Sequence, residues 1–340
     1  MKKNRIIAFM TAFILIITLG NQSAAANTAK ENVKYVYPGG EPFGVRFYND
    51  GVMITKLEEF FDGEKYICPA KEADMKVGDI IRKINNIEIS SNDDVKKLLA
   101  ENGEEEIKVS LTRENQQLDT TVKPGANTAG IYLLGAWIRD SCAGIGTITY
   151  YDPDKNYFAA LGHGICDIDT GKLMPLRSAE IVGAEIGSVS KSVDGRTGSL
   201  NGFFTDNKMG IMSKNTPVGI YGTIFDNFAE NKAPLKIADF DEIKTGKAEI
   251  LTTIDGRSPR GFDAKIIRFC NNDPQSNENF VIKITDEELL RKSGGIVQGM
   301  SGSPIIQDEK LVGAITHVFV NNTDEGYGIS AQFMVSNYEK

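Results

Sequence analysis

The sequence predicts a mainly β protein: an α+β segment, then a larger all-β one, behind an export-type leader. Three observations carry this. Short runs of β-type residues recur between Gly, Asn and Asp from Ile131 to the C-terminus. One helical pattern, Ser91 to Leu99, stands between extended stretches in the first segment. A lone apolar run, Ile6 to Leu19, follows Lys2, Lys3 and Arg5.

That run is shorter than a typical membrane span and leads into Gly20 and the small-residue cluster Ser23-Ala24-Ala25-Ala26. Residues 1–26 therefore read as an export signal, and both cleavage near Ala26 and retention as an anchor are compatible with it. The rest is expected to act outside the membrane in which it was made, touching membrane only through the N-terminal segment. A chain of 340 residues has room for about two packed domains after the leader. A net charge of −8 repels polyphosphate and anionic lipid, so nucleic acid is not an expected partner. Cys68, Cys142, Cys166 and Cys270 form no CxxC pair, which argues against a zinc ribbon or a disulfide scaffold.

In the first segment, extended stretches begin at Pro42-Phe43-Gly44-Val45 and at Gly51-Val52-Met53-Ile54. A third, Lys76 to Ile84, turns at Asn85-Asn86. In the helix from Ser91 to Leu99, Asp93 and Asp94 occupy the first turn and Val95, Leu98 and Leu99 give an apolar stripe. The alternating run Ile107 to Arg113 closes the segment as a strand. This order, and KVGDIIRKINN followed by the helix, resembles a PDZ domain over residues 35–124. Asn86 replaces the family's usual Gly, a mild departure because Asn tolerates the left-handed conformation. The resemblance implies an extended peptide bound by strand addition, its terminal carboxylate received by a loop of backbone amides. Phe43, Gly44 and Val45 are expected to be that loop, with the helix as the other groove wall. The competing reading makes Phe43 and Val45 core residues and the domain a rigid regulatory arm.

After Pro124-Gly125-Ala126-Asn127 the β-type runs take over: Gly146–Tyr150, Tyr157–Leu161, Ile181–Val182, Gly219–Gly222, Ala248–Leu251, Phe280–Ile284 and Lys310–His317. Their spacing predicts an all-β barrel or sandwich over 128–340, with no helical period longer than Thr285 to Lys292. Two residues could carry imidazole chemistry, His163 and His317. His163 lies in Leu161-Gly162-His163-Gly164-Ile165, where flanking glycines let the backbone turn and leave the ring uncovered. Near the C-terminus stands Gly299-Met300-Ser301-Gly302-Ser303-Pro304. Acyl transfer needs a hydroxyl beside a general base and donors aimed at the developing oxyanion. The two glycines permit a tight turn whose amides at Gly299 and Ser301 point to one spot beside the Ser301 hydroxyl. Ser303 is read as structural support. His317, on the strand after this turn, is expected to pair substrate backbone and line the specificity pocket.

The pattern G-x-S-G-x-P resembles the nucleophile turn of chymotrypsin-like serine peptidases, including the PDZ-bearing HtrA group. The implied fold is a PDZ domain followed by a chymotrypsin-like double β-barrel peptidase domain. Gly144–Thr149, Leu161–Ile165 with Asp167, Asp169, Thr170 and Gly171, and above all GGIVQGMSGSPI followed by Gly313–Val318, are similar to the stage IV sporulation protein B (SpoIVB) peptidases. That resemblance spans nearly the whole chain. It implies Ser301 as nucleophile, His163 as base and Asp286 as the triad acid. Against the last, Thr285 also suits a helix N-cap and Asp286, Glu287 and Glu288 its first turn. Asp206 is the main rival for the acid, and Asp167 and Asp169 are weaker ones.

The family further implies a sporulation endopeptidase exported to the space between forespore and mother-cell membranes. There it processes itself and cleaves a regulatory membrane protein, so that an intramembrane protease activates a late mother-cell sigma factor. The alternative is a non-catalytic PDZ adaptor with a degenerate peptidase domain; retention of His163, Ser301 and their glycines argues against it. No cofactor and no metal are expected, since His163, Cys166, Asp167 and Asp169 offer too few imidazoles and thiolates for a transition-metal site.

Overall fold

The computed structural model describes residues 34–193, 195–225 and 232–339. The export signal read in residues 1–26 lies outside them. Strand β1 (Tyr35–Pro38) leads into β2 (Pro42–Leu57), whose 16 residues far exceed the usual strand of about 5–6 residues. Its two ends serve different cores. Phe43, Val45 and Phe47 pack with Ile148, Phe158 and Ile181, whereas Val52 and Ile54 pack with Ile81, Val95 and Val109. Gly51 stands between them at φ +91°, where a Cβ would meet the Ile81 carbonyl oxygen at 2.6 Å.

Beyond Gly51 the chain builds the PDZ domain: β3 (Phe60–Phe61), β4 (Tyr66–Ile67), α1 (Pro69–Glu72), β5 (Ile80–Ile84), β6 (Ile87–Glu88), α2 (Asn92–Asn102), β7 (Ile107–Arg113), β8 (Gln116–Val122), β9 (Gly125–Ala126) and β10 (Tyr132–Leu133). Asn85 and Asn86 are left-handed, at φ 49° and 66°, and join β5 to β6 as a two-residue hairpin. Helix α2 opens with a capping box: Ser91 Oγ accepts the Asp94 amide and the Asp94 carboxylate accepts the Ser91 amide. Its Val95 and Leu99 are buried in the PDZ core. Buried Asp79 is held by Arg113, whose Nε and Nη2 each donate at 2.8 Å, so the charge does not stand alone.

The chain leaves by β11 (Ala136–Asp152), antiparallel to β2 from Ala136 opposite Leu57 to Thr147 opposite Pro42. Strands β12 (Tyr157–Ala160), β13 (Leu176–Ser190), β14 (Ser199–Thr216) and β15 (Gly219–Ile224) follow. The pairs β2–β11, β11–β12, β12–β15, β15–β14, β14–β13 and β13–β2 close a ring. Closure removes the unpaired edges an open sheet would expose. The expected boundaries, PDZ at 35–124 and peptidase from 128, are corrected by this register. Residues 42–49 belong to the barrel, and the PDZ domain is inserted between two neighbouring barrel strands.

The second barrel comprises β16 (Leu235–Ile237), β17 (Gly246–Thr252), β18 (Arg260–Phe269), β19 (Phe280–Ile284), β20 (Pro304–Gln307), β21 (Lys310–Phe319) and β22 (Asn322–Ser330), with α3 (Glu287–Ser293) before β20 and α4 (Ala331–Glu339) at the end. Here β17–β18–β19–β22–β21–β20–β17 is the closed ring. Strand β16 pairs with both β21 and β1. The mainly β class, with a PDZ domain and a chymotrypsin-like double barrel, is the architecture observed. Helix α4 departs from the predicted pattern: Ala331, Phe333 and Met334 are buried, and Tyr338 stacks on Tyr157 at 3.7 Å, so tertiary packing sustains it. Among the described residues no helix is long and apolar enough to cross a membrane.

Candidate active site

Ser301 lies on the turn that feeds β20, at the seam of the two barrels. Met300 is buried in the second barrel's core, while two threonines of β11 grip the turn from the first. Thr147 donates its amide to the Ser301 carbonyl at 3.1 Å and its hydroxyl to the Gly299 carbonyl at 2.8 Å; Thr149 Oγ1 donates to the Gly302 carbonyl at 2.8 Å. Gly299 and Gly302 sit at φ +97° and +94°, and a Cβ on Gly302 would lie 2.1 Å from the Thr147 oxygen. Only glycine fits there. The turn's own amides at Met300, Gly302 and Ser303 are satisfied by backbone carbonyls. Those of Gly299 and Ser301 donate to no acceptor among the described residues, which leaves them available to an oxyanion.

His163 hangs from a sharper bend. Leu161 and Gly162 are consecutive left-handed residues at φ 67° and 68°, and the Gly162 amide bonds the Ala160 carbonyl at 2.8 Å. A non-Gly residue in that region is uncommon and stores strain. Both flanking glycines allow close approach. A Cβ on Gly162 would meet Thr316 Cγ2 at 2.9 Å, and one on Gly164 would meet Leu173 Cδ1 at 2.3 Å and the Thr216 oxygen at 2.6 Å. Asn215 then pins the outgoing chain, accepting from the Ile165 amide at 2.8 Å and donating to the carbonyls of Ile165 and Met174 at 2.9 Å.

His163, Ser301 and Gly299 line one cleft of about 450 Å³, together with Phe43, Val45 and Gly144 to Gly146. Within it Ser301 and His163 are each bonded to backbone. Ser301 Oγ donates to the Thr316 carbonyl at 2.7 Å. His163 Nδ1 lies 2.8 Å from the Gly164 carbonyl, which makes Nδ1 the protonated nitrogen and leaves Nε2 able to accept a proton. Burial pulls the His163 pKa down to about 4, with His317 adding to the fall and the Gly164 bond opposing it. The ring is therefore neutral above that pH. His317, an exposed residue on β21, lies 4.8 Å from it between ring centroids, and the protein around its ring shifts its pKa down as well.

Asp286 is placed elsewhere. It is the N-cap of α3, its carboxylate accepting the Leu289 amide at 2.9 Å, one residue beyond the Thr285 expected to cap. No carboxylate bonds the imidazole among the described residues. Asp206 is exposed on β14, while Asp167 and Asp169 face Arg139. Ser303 is fully buried and donates to Thr252 Oγ1 at 3.0 Å, away from the cleft.

The expected peptide loop at Phe43, Gly44 and Val45 is corrected. These residues pair with Gly146, Ile145 and Gly144 on one side and with Gly183, Val182 and Ile181 on the other. With both edges taken, no peptide strand can add there. The PDZ domain's concave face is a different groove of about 800 Å³, between Val95, Leu99 and Ala100 of α2 and the segment 130–138. There β11 has β2 on one side only. Sequence reasoning missed this accepting strand, and also Asn215 and Arg139, because each acts on residues far away in the chain.

A serine on a glycine-enforced turn, with two open amides and a neutral imidazole at the seam of two barrels, defines a serine peptidase. Residues 130–335 match SpoIVB peptidase S55, more than half of the chain, and residues 68–113 match a PDZ domain. The chain belongs to the SpoIVB peptidase S55 family. Similar solved structures include the PDZ domain of the SdrC-like protein from Listeria monocytogenes (18% identity over 26% of this chain and 87% of that chain, TM-score 0.22). Others are the HtrA-type protease AlgW with a decapeptide (13%, 59% and 53%, TM-score 0.34) and the M. tuberculosis protease Rv3671c in an inactive form (12%, 57% and 83%, TM-score 0.32). No curated protein matches the chain.

Proposed function

We propose that this peptidase is a sporulation signalling endopeptidase, exported to the space between forespore and mother-cell membranes. It processes itself and cleaves a regulatory membrane protein, releasing an intramembrane protease that activates a late mother-cell sigma factor. Family membership supports the pathway, and the leader-like residues 1–26 support export. The PDZ groove beside α2 holds an extended peptide of the substrate or of the chain itself.

The observation that carries the chemistry is the Ser301 turn with its two open amides in the same cleft as His163. His163 Nε2 takes the Ser301 proton, Ser301 Oγ attacks the peptide carbonyl, and the amides of Gly299 and Ser301 hold the oxyanion. The leaving amine takes the proton from His163, and water then releases the acyl-enzyme. For this step the Ser301 hydroxyl turns from the Thr316 carbonyl, to which it donates at 2.7 Å, towards the imidazole. Asp286 serves as orienting acid on family resemblance alone, and doing so requires it to give up its cap on α3.

Mass spectrometry of the fragments formed by the purified chain and by Ser301→Ala tests the reading. Self-cleavage in the parent and its loss by at least about 10³-fold in the variant is expected. Equal cleavage by both would overturn it.

A further inference from the structure

Arg139 stands where β11 crosses from the PDZ domain into the first barrel. A register shift marks the place, between Arg139 opposite Met53 and Ser141 opposite Tyr48. Such irregularities re-aim side chains and recur beside active sites. The Arg139 carbonyl accepts Asn49 Nδ2 at 3.1 Å, which fixes the backbone. The guanidinium reaches across the cleft: Nη1 bonds Asp167 and Nη2 bonds Asp169 at 2.6 Å.

Both aspartates belong to the loop that leaves His163. Asp167 is buried, and its Oδ1 accepts the amides of Asp169 and Thr170 at 3.1 and 2.9 Å. A carboxylate buried that deeply needs a paired cation, and Arg139 supplies it. The guanidinium fork spans two carboxylates, a geometry that a lysine point charge reproduces only in part. From the same strand, Thr147 holds the Ser301 and Gly299 carbonyls. One strand thus grips the nucleophile turn directly and the histidine loop through a single side chain.

We propose that Arg139 is a positioning residue for the peptidase reaction, setting the His163 loop against the Ser301 turn through Asp167 and Asp169. The inference rests on the reading of Ser301 and His163 as the reacting pair. Arg139 touches neither of them; it acts through the loop.

The test is the rate at which a fluorophosphonate probe modifies Ser301 in the full chain, resolved into a maximal rate constant and a half-saturating probe concentration. Arg139→Gln is expected to lower the maximal rate at least about tenfold while moving half-saturation less than about threefold. Arg139→Lys should recover part of the loss, and Asp169→Asn, which removes only the exposed arm, should fall between. A purely structural role would lower the melting temperature yet leave the rate per folded molecule unchanged, and that result overturns the proposal. A loss confined to half-saturation also overturns it, since it would make Arg139 a ligand contact. If Arg139→Gln does not fold, Asp169→Asn decides alone: a parental rate sinks the idea. Failure of the parent to label at Ser301 is a separate result, and refutes the active-site reading instead.

Discussion

The turn that carries Ser301 and the loop that carries His163 face one cleft but are built by opposite means. The serine turn is over-determined: two glycines at positive φ, a buried methionine and two threonines of the other barrel hold its backbone. The histidine loop is held by a few long-range contacts, Asn215 and Arg139 chief among them, and its imidazole is bonded to its own neighbour's carbonyl. Preorganised donors favour the transition state without reorganising when charge develops. The imidazole is the less constrained of the two groups, bonded to the Gly164 carbonyl and to no carboxylate among the described residues.

Substitutions can break this contrast. The largest effect is expected from Gly302→Ala, where a Cβ would collide with backbone on two sides at a positive φ. A loss on the order of 3 kcal/mol in denaturant unfolding, together with loss of turnover, should follow; a loss under 1 kcal/mol would show the turn to be plastic.

Acid titration comes next. The folded His163 pKa, about 4, lies below the unfolded value near 6.5, so the unfolded chain binds the proton that the folded chain refuses. Stability should fall as pH drops through that window and be unaffected by this group above it. His163→Gln should flatten the slope of melting temperature against pH; an unchanged slope would place the acid sensitivity elsewhere.

Asp286 sharpens the contrast at the base. Asp286→Ala should cost about 1 kcal/mol through the lost α3 cap, whereas Asn caps nearly as well. If Asp286 also orients the imidazole, Asp286→Asn keeps the melting temperature and lowers kcat at least about 10²-fold. Parental kcat in that variant would leave Asp286 a cap only. The smallest effect is expected from Ser303→Ala, which loses one buried hydroxyl bond to Thr252, about 1 kcal/mol or less, with fluorophosphonate labelling of Ser301 unchanged. Loss of labelling would reopen the choice of serine.

Local signals were legible where the physics is local. The Asn85-Asn86 turn, the helix read at Ser91 to Leu99 and the strands Ile107–Arg113 and Phe280–Ile284 follow from conformational preference and periodicity within a few residues. The glycines of GMSGSP and GHG announced tight backbone: a Cβ on Gly162, Gly164 or Gly302 would lie under 3.0 Å from a neighbour, and Gly299 takes a positive φ of +97°. Pairing over long distances was not legible. Phe43 to Val45 have an apolar, extended pattern that suits a PDZ loop as well as a barrel strand, and only partners about a hundred residues on decide between them. Asp286 shows a second limit: a carboxylate opening a helix looks the same in sequence whether it caps or catalyses.

The insertion changes what the two domains mean to each other. Tyr48 and Ser141 are register partners on adjacent strands, so the PDZ domain enters and leaves the barrel through one antiparallel pair. To the barrel it is the turn of a hairpin grown to domain size. Cutting the chain ahead of residue 128 would strip Pro42–Asn49 from between β11 and β13 and leave two raw sheet edges. Replacing residues 50–138 by a short turn would keep the ring closed and leave Arg139 in place on β11. The peptidase can lose its PDZ domain by excision, but not by truncation.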